Sequence, residues 1–162
     1  MENVIVSELC EKISDKRMVK DDMGIEYAIK AFAAHTHTHV LFVVNKDGIL
    51  TGVVKLKQLL EWVKVKLNIV SEKHIVTRSD AFEVLRLSQS CTIKEITSEM
   101  ISVKQTDAIA HAINLMADKE MVEMPVIDDA GKLVGELRIS DLLSKLLVDI
   151  ASAESDNTCS LS

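Results

Sequence analysis

Apolar residues recur at helical spacing in two segments of the chain. In each segment they occupy positions i, i+3, i+4, i+7 and i+8, which is the pattern of an amphipathic helix with one face on a core. Asp22 and Thr106 precede these segments and are predicted N-caps, because their side chains can accept hydrogen bonds from the free N–H groups of a first helical turn. The two apolar sets are Ile25, Ala28, Ile29, Phe32 and Ala33, and Ile109, Ala112, Ile113, Met116 and Ala117.

Each predicted helix is followed by two short apolar runs that a turn connects. The turns contain Gly48 and Gly131, which tolerate the positive φ that such turns require. A further short strand precedes each helix, and a final helix begins near residue 56 or 139, so each half of the chain is predicted to be a βαββα unit. The predicted strands are residues 18–19, 40–45 and 50–55 in the first half, and 102–103, 123–128 and 133–138 in the second.

The two halves are copies of one pattern. At an offset of 83 residues, Gly48 matches Gly131 and Gly52 matches Gly135, so a pair of glycines recurs at the same place relative to the apolar positions. A single βαββα unit would leave one face of its sheet bare, whereas two packed copies bury both faces. The sequence therefore predicts the α+β class, with two pseudo-symmetric βαββα repeats packed as one module.

The repeats divide the chain into four parts. We predict a first repeat with its N-terminal segment (1–67), an inserted linker segment (68–93), a second repeat (94–150) and a polar, frayed tail (151–162). Within the linker, the apolar positions of residues 80–87 are compatible with a helix that Asp80 would cap.

Composition and charge narrow the class of protein. Of the 162 residues, 48% are apolar, which is enough for a sizeable core and excludes a wholly disordered chain. The net charge of −6, with Lys and Arg dispersed, argues against general nucleic-acid binding. No apolar stretch is long enough to insert into a membrane, and the acidic N-terminus is unlike a signal peptide. Cys10, Cys91 and Cys159 form no CxxC pair, so we expect a reduced, cytoplasmic protein.

Charged residues at the predicted strand ends are the candidates for ligand chemistry. Asp141 begins the last helix, where it is either a helix N-terminal acid or a ligand for neighbouring hydroxyl groups, which a carboxylate binds with two charge-assisted hydrogen bonds. Arg138 and Lys55 occupy equivalent strand ends, and each is either a solvated charge or an anion clamp. For Arg138 a third interpretation is an ion pair with Asp141 that closes an empty site.

Three histidines, His35, His37 and His39, are spaced two residues apart before a predicted strand. On a strand they would share one face. Because imidazole is a common ligand of Zn, Ni and Cu, the tract raises the hypothesis of a metal sensor. No Asp, Glu or Cys lies within the tract, which argues against a metal site. The alternative is a pH-sensitive surface, because histidine titrates near neutral pH.

No catalytic constellation is apparent in the sequence. It contains no GxSxG, P-loop, HExxH or GxGxxG motif, which favours a protein that is not an enzyme. Met116, Met121 and Met124 are predicted core residues. Trp62 lies in the last helix of the first repeat, where it either covers an apolar face or contacts another subunit.

The two repeats resemble cystathionine-β-synthase (CBS) domains, in the tandem arrangement called a Bateman module. In the second repeat the resemblance rests on the stretches MPVID (124–128), GKLVG (131–135) and DLL (141–143). The first repeat shows the same frame more weakly, in residues 41–45, Gly48, Gly52 and the leucine pair 59–60. Together the copies cover most of residues 14–147.

This resemblance implies a regulatory module that binds adenine nucleotides in clefts between the repeats. In such modules backbone groups near a hydrophobic-Pro strand recognise the base, an acid binds the ribose, and a cation or His meets phosphate. In the second repeat the resemblance places Asp141 at the acid position, Arg138 at a position that is usually Thr, and Glu123, Met124, Ser102 and Val103 around them. In the first repeat the matching residues are His39, Leu41, Phe42 at the Pro position, Lys55 at the Thr position and Gln58 at the acid position.

We therefore predict a regulatory ligand-sensing module that binds AMP, ATP or an adenosine-type ligand, requires no cofactor and signals to a separate protein partner. A homodimer is expected, because Ile25, Phe32, Leu59 and Trp62 exceed what one face per helix would bury. Two alternatives remain open: a structural dimerisation module with degenerate clefts, and a metal sensor that uses the histidine tract.

Overall fold

Two three-stranded sheets carry the predicted repeats. The computed structural model describes residues 4–14, 17–34, 37–69 and 78–158, including the side chains of these residues except those of 78–81, 84 and 149–158. The chain divides into two compact units. We name Ile13–Ile101 the first unit, and Met1–Lys12 together with Ser102–Ser162 the second unit.

The first unit contains the first βαββα repeat. Its elements are β1 (Met18–Lys20), α1 (Ile25–Ala34), β2 (Val40–Val44), β3 (Leu50–Lys55) and α2 (Leu56–Lys66), followed by α3 (Arg78–Gln89) and the short α4 (Ile93–Ile96). The sheet order is β1-β2-β3, with β1 parallel to β2 and β2 antiparallel to β3. The predicted order of elements is therefore confirmed in this half.

The second unit repeats the same topology. Its elements are a 3₁₀ turn (Val6–Glu8), β4 (Val103–Lys104), α5 (Ile109–Asp118), β5 (Glu123–Ile127), β6 (Leu133–Arg138) and α6 (Ile139–Thr158). The sheet order is β4-β5-β6, with β4 parallel to β5 and β5 antiparallel to β6. Gly48 and Gly131 have φ values of 79° and 78°, so the two strand-joining turns have the positive φ that was predicted for them.

Each unit is completed by a short segment that, in the sequence, comes just before the repeat of the other unit. We name residues 4–12 the N-terminal segment and residues 91–98 the joining segment. The joining segment lies in the first unit, where the N–H of Ile93 donates to the Met23 carbonyl at 2.8 Å. The N-terminal segment lies in the second unit, where the N–H of Val6 donates to the Asp107 carbonyl at 2.9 Å. Spatial grouping thus differs from the order of the repeats in the sequence.

The same two segments continue along the outer strands of the sheets. Ser98 forms a β-bridge with Val53 of β3, and its N–H donates to the Val53 carbonyl at 2.9 Å. In the second unit, Glu11 forms the equivalent bridge with Glu136 of β6, also with an N–H to carbonyl distance of 2.9 Å. Each segment therefore adds backbone pairing at the sheet edge.

Close approach of these segments explains the second pair of repeated glycines. A Cβ atom on Gly52 would lie 2.5 Å from the Ser98 carbonyl oxygen, and one on Gly135 would lie 2.7 Å from the Glu11 carbonyl oxygen. Both distances are too short for a carbon atom, and the obstacle in both cases is backbone that cannot rotate away. In each repeat, therefore, the first glycine of the pair is required by the turn, and the second glycine is required by the close approach of the neighbouring segment.

The predicted N-caps Asp22 and Thr106 are wrong. Helix α5 has Ala108 as its N-cap residue, and α1 begins three residues beyond Asp22. The two completing segments replace the side-chain caps: the N–H of Ile25 donates to the Cys91 carbonyl at 3.1 Å. In the second unit the N–H of Ile109 donates to the Val4 carbonyl at 2.9 Å. The caps come from backbone far away in sequence, so local pattern could not reveal them.

The four apolar residues from which a dimer interface was predicted belong to the core of the first unit or pack against it. Ile25, Phe32 and Leu59 are buried there, together with Leu87 of α3 and residues of the joining segment. Trp62 packs against this core and donates its indole N–H to the Ser90 carbonyl at 3.3 Å. These residues therefore give no support to a dimer interface, which corrects the argument made from sequence. Met116, Met121 and Met124 are buried in the second unit, as predicted.

The linker and the tail contain more helix than the sequence pattern indicated. Helix α3 spans Arg78–Gln89 and so includes the predicted helix of residues 80–87. Helix α6 continues to Thr158, so the backbone of residues 151–158 is helical and the expectation of a frayed tail is wrong there. The expectation rested on the polar composition of this stretch, but its Ala and Glu residues are good helix formers. Within the residues that the structure describes, no helix is both long and apolar enough to span a membrane.

Candidate functional site

The end of the β5–β6 hairpin assembles charged residues on one face of the sheet. Glu123, at the start of β5, lies opposite Arg138, at the end of β6, and Pro125 lies opposite Glu136. Because side chains alternate between the two faces of a strand, these four residues share one face. Both glutamates are buried. The structure therefore brings together two predicted site residues, Glu123 and Arg138, beside a glutamate that was not predicted.

Arg138 is held by carboxylates from three directions. Its Nε atom donates to Oδ2 of Asp141 at 3.1 Å and lies 4.0 Å from Oε1 of Glu136. Its Nη2 atom forms an ion pair with Glu11 of the N-terminal segment. Charge-assisted pairs of this kind fix the guanidinium in place. The ion pair with Asp141 that one of the three sequence-based interpretations of Arg138 assumed is present, and a role of Arg138 as an anion clamp stays a prediction.

Asp141 lies in the first turn of α6, directly after β6. Its side chain is 26% exposed, and Oδ1 accepts a hydrogen bond from the Ser140 hydroxyl at 3.3 Å. A carboxylate in the first turn is favoured by the helix dipole. Its partial exposure leaves it accessible to a small molecule as well, so the helix-terminal and ligand-binding interpretations are compatible at this position.

Of the remaining predicted residues of the second repeat, only Ser102 has a polar side chain. Met124 and Val103 are buried, with Val103 of β4 paired to Val126 of β5. Ser102 immediately precedes β4 and is half-buried. Met124 alternates with Glu123 and so faces the side of the sheet opposite Arg138. A ligand that binds to β5 on the face that carries Arg138 would therefore contact backbone groups or the side chains next to Met124. It would not contact the Met124 side chain itself.

The equivalent position in the first repeat has different chemistry. Lys55, at the end of β3, lies opposite Val40, and its backbone N–H donates to Oε1 of Gln58 at 2.8 Å. Gln58 is thus a helix-terminal residue that accepts from the backbone at the start of α2. Phe42 is buried on the same face as Lys55, and the Arg17 guanidinium lies 5.7 Å from the centre of its ring. Here the face is largely apolar.

The predicted first-repeat residues do not form a polar cluster. Leu41 is buried in the core of the first unit. His39 is exposed, and its carbonyl accepts the N–H of Leu56 at 2.9 Å, a bond that helps to join β2 to the start of α2. His37 is also exposed, while His35 lies outside the described residues. Of the residues that the structure describes, no three His, Cys, Asp or Glu side chains are grouped as a metal ion requires, and the metal hypothesis stays a prediction.

Sequence reasoning missed Glu11 and Glu136. Glu136 could have been found, because it lies two residues before Arg138 in a predicted strand and must share its face. Glu11 offered no such signal. It reaches Arg138 only because the N-terminal segment packs in the second unit, an arrangement that strand periodicity does not reveal.

The Cys10 thiol lies close to this cluster but is poorly suited to chemistry. Burial raises the pKa of the Cys10 thiol, a backbone hydrogen bond with Glu136 lowers this pKa by less, and the negative charge of Glu136 adds the smallest effect, which raises it. A raised pKa keeps the sulfur protonated and weakly nucleophilic. Its Sγ atom instead packs against Gly135, which makes Cys10 a structural residue.

Comparison with known proteins matches both repeats to one family. The model of the CBS domain matches residues 6–65 and 93–148. The chain is 28% identical over 126 residues to a CBS domain-containing protein of Dictyostelium discoideum, a match that covers 78% of this chain and 81% of the relative.

Two solved structures show the same fold. CBSX2 in complex with AMP has a TM-score of 0.69 at 17% identity, over 90% of this chain and 97% of that one. The CBS domain pair of protein MJ0100, in complex with 5′-methylthioadenosine and S-adenosyl-L-methionine, has a TM-score of 0.62 at 18% identity, over 90% and 97% of the two chains. The protein therefore belongs to the CBS domain family, and its α+β fold is that of a tandem CBS pair, or Bateman module.

Proposed function

We propose that this protein is a regulatory ligand-sensing module that binds an adenosine-type ligand beside Asp141 and signals to a separate protein. The observation that carries the proposal is the position of Asp141. A partly exposed carboxylate stands in the first turn of α6, at the place that the family resemblance assigns to the ribose-binding acid. Related folds whose structures contain AMP, 5′-methylthioadenosine and S-adenosyl-L-methionine support the choice of ligand class.

The chemistry of this position suits a ribose. Two adjacent hydroxyl groups can each donate to one oxygen of a carboxylate, and such charge-assisted hydrogen bonds are stronger than neutral ones. To bind a ribose in this way, Asp141 would exchange its contact with Ser140 or share its contact with Arg138. A ligand that prefers one arrangement of these groups would shift the population toward it, which is the physical basis for regulation.

The first test is a thermal-shift panel followed by calorimetry on the native protein, Asp141→Ala and the matched variant Gln58→Ala. A ligand that binds only the folded state raises Tm. We expect Asp141→Ala to weaken adenosine binding roughly ten- to hundredfold, since it removes a charge-assisted hydrogen bond that is worth about 1.5–3 kcal/mol. Gln58→Ala should bind as native protein does. Equal binding by Asp141→Ala would favour a structural interaction module instead.

We also propose that the protein forms a homodimer through its last helices. Leu60 of α2 and Leu143 of α6, which are equivalent in the two repeats, are both about half exposed, and Leu147 is 68% exposed. Exposed leucines in equivalent places on helices are typical of an interface between copies. Light scattering at micromolar concentration should give a dimer, and Leu147→Glu should give a monomer. A monomeric native protein would contradict this proposal.

The proposed function requires no catalysis, and we propose that the protein is not an enzyme. In the second unit the charged groups at the strand end are engaged with one another, and the nearby thiol has a raised pKa. ATP hydrolysis that follows the protein through purification and disappears in Asp141→Ala would contradict this.

A further inference from the structure

The guanidinium of Arg138, which lies beside Asp141, is already bound by carboxylates of the protein. Arg138 contacts Asp141 through Nε at 3.1 Å and Glu11 through Nη2. A guanidinium binds phosphate with the same N–H groups that it uses for a carboxylate. A phosphate at Arg138 would therefore compete with these carboxylates for the N–H groups and the positive charge of the guanidinium.

The backbone around Glu11 fixes this residue in place. The N–H of Glu11 donates to the Glu136 carbonyl, and the N–H of Glu136 donates to the Glu11 carbonyl, both at 2.9 Å. Gly135 leaves the space that the N-terminal segment occupies. The Glu11 carboxylate is thus presented to Arg138 by a paired backbone rather than by a free loop.

The first repeat provides an internal contrast. Ser98 holds the place in the joining segment that Glu11 holds in the N-terminal segment, and it pairs with Val53 as Glu11 pairs with Glu136. A serine adds no charge at this position. An acidic residue at this position of the completing segment is therefore specific to the second repeat and is not a requirement of the fold.

We propose that Glu11 determines the charge class of the ligand, so that the site prefers adenosine-type ligands without phosphate over AMP and ATP. This inference rests on the proposed function. Glu11 occupies the guanidinium that would otherwise neutralise a phosphate, and its negative charge, with that of Asp141, repels one. An uncharged ligand such as adenosine or 5′-methylthioadenosine meets neither obstacle.

The test is calorimetry with adenosine, 5′-methylthioadenosine and AMP on the full-length native protein, Glu11→Gln and Glu8→Gln. Glu11→Gln keeps the size of the side chain and both backbone hydrogen bonds but removes the charge. We expect it to increase the affinity for AMP relative to adenosine by roughly three- to tenfold, a modest effect because Glu11 is half exposed and screened by solvent. Glu8→Gln makes the same charge change in the same segment, where Glu8 contacts the Ile5 N–H rather than Arg138, and should not alter the ratio.

The double variant Glu11→Gln/Arg138→Gln separates a contact from a general charge effect. If Arg138 provides the phosphate contact, the gain seen in Glu11→Gln is lost in the double variant. Native protein that binds AMP as tightly as adenosine, with no change of ratio in Glu11→Gln, would overturn the role of Glu11 and leave the proposed function standing. Failure of the native protein and Glu11→Gln to bind any of the three ligands would overturn the proposed function and this inference together.

Discussion

The hairpins of the two repeats have the same backbone arrangement, but on one face the side chains are mostly apolar in the first repeat and mostly charged in the second. On the first hairpin this face carries Val40, Phe42 and Val53 with Lys55 at its end, whereas the second hairpin has Glu123, Pro125, Glu136 and Arg138 at the matching register positions. The core-facing positions do not differ in this way, since the first hairpin has Leu41, Val43 and Val54 there and the second has Met124, Val126 and Leu137, all buried. The fold constrains one face of each hairpin, and the other is free to diverge toward binding or packing.

The largest difference between the repeats should appear at Phe42 and its counterpart Pro125. Both are buried, but Phe42 contributes a whole aromatic ring to an apolar face. We expect Phe42→Ala to lower the free energy of unfolding by about 3–5 kcal/mol. Pro125→Ala removes far less apolar surface and should cost about 1 kcal/mol. Urea denaturation of both variants measures this, and equal losses would show that the two faces are packed alike.

The next comparison concerns a feature that the repeats share. Gly52→Ala and Gly135→Ala should each cost about 2–3 kcal/mol, because a Cβ would meet the backbone carbonyl of Ser98 or Glu11 and force the completing segment to move. Gly48→Ala is the control: it has open space around it and pays only for its positive φ, about 1 kcal/mol. If all three variants lost the same stability in urea, the segments would not be held as closely as the structure shows.

Most elements of the fold could be predicted from the sequence, because each repeat encodes its own strands and helices by local periodicity. The strand ends at Lys55 and Arg138 and the helix starts at Leu56 and Ile139 follow directly from this pattern. The pairing of distant segments could not be predicted in this way. The caps of α1 and α5 come from such pairing, which local sequence does not encode.

The candidate site was predictable only in part, for the same reason. Arg138 and Asp141 are close in sequence, so their contact was one of the alternatives that the spacing allowed. Glu11 is more than a hundred residues away from Arg138 in the sequence, and it contacts Arg138 because the N-terminal segment packs in the second unit. Burial of Glu123 and Glu136 likewise depends on packing that strand alternation does not specify.

Gln58 and Asp141 hold equivalent positions and should respond differently to removal. Gln58→Ala deletes the acceptor of the Lys55 N–H and should lower stability by about 1 kcal/mol, with no effect on adenosine binding. Asp141→Ala removes a partly exposed ion pair and should cost about 0.5 kcal/mol of stability, while weakening adenosine binding as proposed above. Thermal denaturation and calorimetry on both variants separate the two roles. A loss of adenosine affinity in Gln58→Ala as large as that in Asp141→Ala would show that the effect of Asp141→Ala is not specific to the acidic position.

The smallest expected effect compares Glu95 with Glu8, which hold equivalent places in the joining and N-terminal segments. Hydrogen bonds from the backbone N–H groups of Thr92 and Cys91, and then from the Thr92 hydroxyl, lower the pKa of Glu95 from its ordinary value of 4.5. Glu8 accepts one N–H, that of Ile5, at 3.1 Å.

A carboxyl group whose pKa is lower in the folded state stabilises the fold above its ordinary pKa, and this contribution is lost as the pH falls through the lowered value. The Tm of the native protein should therefore decline below about pH 4.5, and Glu95→Gln should have a slightly lower Tm at pH 7 and a shallower decline in acid. Glu8→Gln is the control and should change both less. Thermal denaturation from pH 7 to pH 3 measures the two slopes. Identical acid profiles for native protein and Glu95→Gln would show that this carboxylate does not help to hold the joining segment in place.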